Sequence, residues 1–142
     1  MNAILFGAKP ENQTTLKLPR DVLLFEKQRI GPIVIDDRHP SDNVVIYGFS
    51  DEPAYSRFMA NSSLALRPFP LVKTYLRDQV IDESGALKLI VVDADGPAAP
   101  SVNAVTMQAV LTAFEQQSTE LIATHGLEFM EATKSYRFSY TT

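Results

Sequence analysis

Two apolar runs in this chain stop abruptly at carboxylates: Leu89-Ile90-Val91-Val92 runs into Asp93-Ala94-Asp95-Gly96, and Ile33-Val34-Ile35 runs into Asp36-Asp37. Acidic strand ends suit magnesium, which prefers oxygen ligands, keeps several waters and needs only one or two carboxylates beside substrate phosphates. Asp93 and Asp95 have the alternate spacing that points both the same way if the strand persists through them. The two acidic ends share one site only if their strands are parallel and finish at one edge of a sheet. The competing reading is an ordinary strand end before a Pro-rich loop.

Other constellations are thinner. Asp36, Asp37, His39 and Asp42 fall within seven residues, a mixture of imidazole and carboxylate that suits zinc or manganese. Arg38 in their midst repels a cation, and loops of Asp, Pro, Ser and Asn are usually turns. His125 is expected at the end of a helix, where it interacts favourably with the dipole. No serine sits in a G-x-S-x-G turn, and the six glycines are isolated, so neither a hydrolase elbow nor a phosphate-cradling loop can be built. Cysteine is absent, which removes disulfides, thiolate metal sites and thiol nucleophiles.

The order of the Asp36-Asp37 pair, the later Asp93 with Pro97 four residues on, and the still later Thr124 resembles a response-regulator receiver domain. That resemblance implies magnesium on the pair, a phosphoryl group accepted by Asp93 and a contact from the Thr124 hydroxyl. The departures are a polar loop and a strand where a receiver has a helix after the pair, and Lys134 too near Thr124 to be the family's basic residue. Asp-x-Asp-Gly also resembles the nucleophile motif of haloacid-dehalogenase-like phosphatases, but Pro97 replaces the expected threonine and only 49 residues follow Asp93. Both resemblances cover fragments, and neither family is assigned.

The elements that must position these residues follow from periodicity. Thr14 to Leu18 partly alternates, Val22 to Phe25 is a strand or a helical turn, and Ala3 to Phe6 is a short apolar run. Ile33 to Ile35 and Val44 to Tyr47 look like adjacent strands joined by a polar loop. A short helix follows Ser50 or Asp51, with Pro53 in its first turn and Tyr55, Phe58 and Met59 on one face. Pro70 is expected to open a second helix with Leu71, Val72, Tyr75, Leu76 and Val80 as its stripe. After strand Leu87 to Val92, Ser101 is the expected N-cap of the longest helix, running past Phe114 to Leu121, Ile122 and His125 and stopping at Gly126. At the C-terminus Tyr136, Phe138 and Tyr140 alternate with Ser135, Arg137 and Ser139, and Leu127 to Glu131 is the natural antiparallel partner.

Strand pairs at both ends around a helical middle give an α+β class: a single globular domain over residues 1–142, with a mixed β-sheet and about three helices. The chain is acidic, with net charge −4, and its Lys and Arg are scattered, so nucleic acid is not an expected partner. No apolar run approaches a membrane span and no signal segment is recognisable, so a membrane is not expected either and the placement is cytoplasmic. If the C-terminal aromatic strand lies at a sheet edge, it can extend the sheet into a homodimer. The leading expectation is a non-catalytic ligand-binding or protein-interaction domain with no cofactor, its protein or small-molecule partner left open. The alternative is a magnesium-dependent phosphoryl-transfer or phosphate-binding protein using Asp93 and Asp95 with Asp36 and Asp37.

Overall fold

The computed structural model describes residues 14–35, 43–63, 66–82 and 84–141. Their elements run β1 (Thr15–Lys17), β2 (Asp21–Phe25), β3 (Gln28–Arg29), β4 (Val34–Ile35), β5 (Val44–Phe49), α1 (Glu52–Ala60), β6 (Arg67–Pro70), α2 (Lys73–Ile81), β7 (Lys88–Val92), β8 (Ser101–Thr106), α3 (Met107–Glu115), β9 (Glu120–Ile122), β10 (His125–Met130) and β11 (Ser135–Thr141). This is the expected α+β class, with a mixed sheet and three helices among the described residues. No helix among them is long and apolar enough to cross a membrane. The run Ala3 to Phe6 lies outside the described residues.

One nine-stranded sheet has the order β3-β2-β5-β7-β8-β10-β11-β4, and β6 pairs with the other edge of β2. β5 and β7 are parallel, as are β11 and β4; the remaining pairings are antiparallel. β1 and β9 make a separate antiparallel ribbon.

The main sheet closes on itself. The Ile30 carbonyl accepts the Tyr47 N–H of β5 at 2.9 Å, and the Ile33 carbonyl accepts the Tyr136 N–H of β11 at 2.8 Å. Three residues reach at most about 11 Å, whereas β5 and β11 in a flat sheet stand four strand spacings apart, about 19 Å. The sheet must therefore curl until the 30–35 segment bridges its two sides. Gly31 is required at this seam, because a Cβ there would lie 1.8 Å from the Val45 carbonyl oxygen.

Closure explains the two packing faces. Tyr47, Leu89, Val102, Leu127 and Tyr136, one from each strand around the ring, share a buried cluster with Ala54 and Phe58 of α1, and Ile30 and Val34 pack against it. On the opposite face Ile46, Ile90, Val92 and Val105 lie beneath Leu76 of α2 and Val110, Leu111 and Ala113 of α3.

Several expected boundaries move. Pro70 ends edge strand β6 opposite Asp21 instead of opening a helix, and α2 begins at Lys73. Ser101 starts β8, not a helix; Thr106 is the true N-cap, its hydroxyl accepting the Ala109 N–H at 3.2 Å. The helical stripe ends at Glu115, so Leu121 and Ile122 fall in β9 and His125 opens β10. β4 pairs with β11 and has no pairing with β5, which corrects the expected adjacency. The short helix after Asp51 and the β10–β11 hairpin stand where periodicity placed them.

Candidate functional site

Because β5 and β7 run parallel, their carboxyl ends emerge side by side, with Gly48 opposite Val92. β7 stops there, and Asp93 adopts a left-handed backbone with φ 56°, its N–H donating to the Gly48 carbonyl at 2.9 Å. The Asp93 carboxylate then turns toward β5, accepting the Ser50 N–H at 2.8 Å and the Ser50 hydroxyl at 2.6 Å. Directly after Ser50, Asp51 caps α1 by accepting the Ala54 N–H at 2.9 Å. Asp93 thus clamps the exit of β5 into α1.

Asp95 faces elsewhere. Its carboxylate accepts from Arg57 Nε at 3.2 Å, and its carbonyl accepts from the Asn61 side-chain amide at 2.9 Å. Gly96 lets the loop lie this close to the helix, since a Cβ would stand 2.8 Å from the Asn61 Cβ. The far end of the loop is held by the Tyr136 hydroxyl, which donates to the Ala99 carbonyl at 2.8 Å. Burial pushes the Tyr136 phenol above its ordinary pKa and so keeps that donor protonated.

The braced loop borders a cavity of about 530 Å³ lined by Asn61 and the residues from Asp95 to Ser101. Its walls are apolar at Pro97, Ala98, Ala99 and Pro100, with the Asn61 amide, the Asp95 carboxylate and the Ser101 hydroxyl as polar groups. A small ligand with an apolar body and a donor or cationic group fits that lining.

The alternate spacing of Asp93 and Asp95 does not bring their carboxylates to one point, because the strand ends before them. One meets Ser50 donors and the other a guanidinium, so the two carboxylates engage separate partners and do not converge on a shared cation. No group of three or more His, Asp or Glu among the described residues is placed to hold a metal. Asp36, Asp37, His39 and Asp42 lie outside the described residues. The strand leading to them, β4, pairs with β11 and not with β7.

His125 is buried at the start of β10, its ring centroid 5.4 Å from that of Phe138 and its Nδ1 2.7 Å from the Thr124 hydroxyl oxygen. Thr124 is not helical; its hydroxyl also accepts the Thr106 N–H at 3.1 Å. Sequence reading passed over Arg57, Asn61 and Tyr136 as loop-holding residues, since each reaches the loop from more than thirty positions away. Ser50 carried a signal in its place immediately after a buried strand. Neither protein-family models, nor curated proteins, nor solved structures give a match to this chain.

Proposed function

We propose that this chain is a non-catalytic binding domain, for a ligand or a protein partner, whose recognition cleft is the cavity between Asn61 and Ser101. The observation carrying this reading is the use of both aspartates as braces: Asp93 on Ser50 and Asp95 on Arg57 shape a loop around a lined cavity. A loop fixed at both ends recognises ligands at low ordering cost. The test is an amide chemical-shift titration with small aliphatic amines and their neutral alcohol analogues. Shifts confined to Asn61 and Gly96 to Ser101, weakened for amines by Asp95→Asn, are expected; unmoved cleft resonances would sink the proposal.

A second reading keeps the magnesium-dependent phosphoryl-transfer or phosphate-binding alternative, supported by the Ser50 hydroxyl and Asp93 at the carboxyl ends of a parallel strand pair, where open α/β sheets bind ligands. Titration with millimolar magnesium separates the two, because this reading requires shifts at Ser50 and Asp93 and the first requires none. Cytoplasmic placement and a homodimer through β11 belong to the same proposal. The dimer is supported by the β4 pairing, which covers only Tyr136 and Arg137 of β11 among the described residues. Sedimentation equilibrium showing a monomer at micromolar concentration would remove the dimer.

A further inference from the structure

Six of the described Lys and Arg residues stand within 4 Å of a carboxylate: Lys17, Arg57, Arg77, Lys88, Lys134 and Arg137. The other five, Arg20, Lys27, Arg29, Arg67 and Lys73, have no such carboxylate among the described residues, and all five fall in one region. Arg20 precedes β2, Lys27 is in the β2–β3 turn, Arg29 is on β3, Arg67 opens edge strand β6 and Lys73 opens α2. Leu24 pairs with Arg29 on one side and Arg67 on the other, which sets the two arginines in one row across the sheet. The Arg29 guanidinium stacks 3.7 Å from the Tyr75 ring centre and 5.9 Å from that of Phe69. Arg20 and Lys73 line a cavity of about 370 Å³ whose other walls include Leu71, Phe114, Ser118 and Thr119. Apolar side chains are interleaved, with Phe69 42% and Val72 43% exposed. Asp21, Glu26 and Asp78 are the carboxylates on these same elements.

We propose that this face binds an acidic segment of a partner protein, its carboxylates gripped by Arg20, Arg29, Arg67 and Lys73 and an apolar side chain set against Phe69 and Val72. Three other occupants fit less well. A second copy meeting the same face about a two-fold axis would oppose like charges. Nucleic acid and anionic bilayers are extended polyanions that reach past these five cations onto the rest of an acidic chain at −4, whereas a short acidic segment stays within the patch. Strand addition to β6 is blocked: Leu71 N–H donates to the Arg20 carbonyl, so the donors of that parity face β2, and the outward positions are Pro68 and Pro70, which carry no N–H. Recognition is left to side chains, and arginine forks are built for carboxylates.

This surface shares no residue with the Asp95 to Ser101 cleft, so its test stands or falls separately. Fluorescence anisotropy of a short labelled peptide of glutamates around one phenylalanine is measured against the intact protein, beside an oligo-dT strand and phosphatidylserine vesicles. Expected are peptide binding that weakens with added salt and a loss of about tenfold for Lys73→Glu and again for Arg67→Glu. Lys134→Glu, an exposed cation in the β10–β11 turn, should leave it unchanged. Arg67→Lys, which keeps charge but loses the fork, should fall between. No peptide binding, insensitivity to both reversals, or tighter binding of the oligonucleotide or vesicles would overturn the proposal.

Discussion

At Asp93 a single carboxylate serves as backbone geometry. The left-handed conformation there is tolerated by Asp and Asn and costs other residues about 1–2 kcal/mol, and the two hydrogen bonds from Ser50 add about 1 kcal/mol each. Asp93→Ala is therefore expected to destabilise the protein by about 3 kcal/mol, while Asp93→Asn, which keeps the conformation and an acceptor, costs about half as much. Urea denaturation measures both, and Ser50→Ala in the Asp93→Ala background should add almost nothing. Asp82 gives a pH signature. Its carboxylate accepts from Lys88 Nζ at 2.8 Å and from the Ser84 hydroxyl and N–H, and these bonds, Lys88 first, hold its pKa below the usual range. A depressed folded pKa stabilises above the unfolded value, near 4, and that contribution is lost as pH falls through the folded value. Wild type should exceed Asp82→Asn in stability at pH 6, with the gap closing below about pH 4; an unchanging gap would refute the assignment.

At the scale of elements, the places where periodicity misled are those buried on two sides. β8 carries Val102 and Ala104 into the ring and Val105 under the helices, so apolar residues occupy both parities and mimic the spacing of a helix that begins one element later. α1 and β11, each with one face packed, were legible for the opposite reason. The acidic site was half legible: the strand end and its residues could be read, but not the left-handed turn at Asp93 that sends Asp93 and Asp95 apart. The cationic face was invisible in sequence because its residues, from Arg20 to Lys73, meet only through the pairing of β2 with β3 and β6. The seam at Gly31 is the sharpest element-level test. Gly31→Ala places a methyl against the Val45 backbone, where nothing can rotate away, and is expected to cost at least about 3 kcal/mol. A fall in the urea midpoint with a lowered slope would show the ring opening as well.

Across the whole molecule, three tyrosines set an alkaline limit. Burial raises the phenol pKa of Tyr47, Tyr75 and Tyr136; at Tyr47 the neighbouring Tyr136 adds to the effect, while at Tyr75 Arg29 partly offsets it. The folded state then holds more protons than the unfolded chain above about pH 10, so stability is full below that pH and falls as pH rises beyond it. Phenolate absorbance equivalent to three of the five tyrosines should lag until unfolding and coincide with the transition followed by circular dichroism; ionisation of all five without unfolding would contradict this. Ring closure has a further consequence, in the order of synthesis. Val34 of β4 finds its partner, Tyr136, roughly a hundred residues later. While the chain is being made, Ile33 and Ile35, which stay 69% and 43% exposed even when folded, head a strand with nothing to pair against. A nascent chain arrested before Ser135 is an open sheet with an adhesive edge, and its protection during translation depends on how quickly β11 emerges.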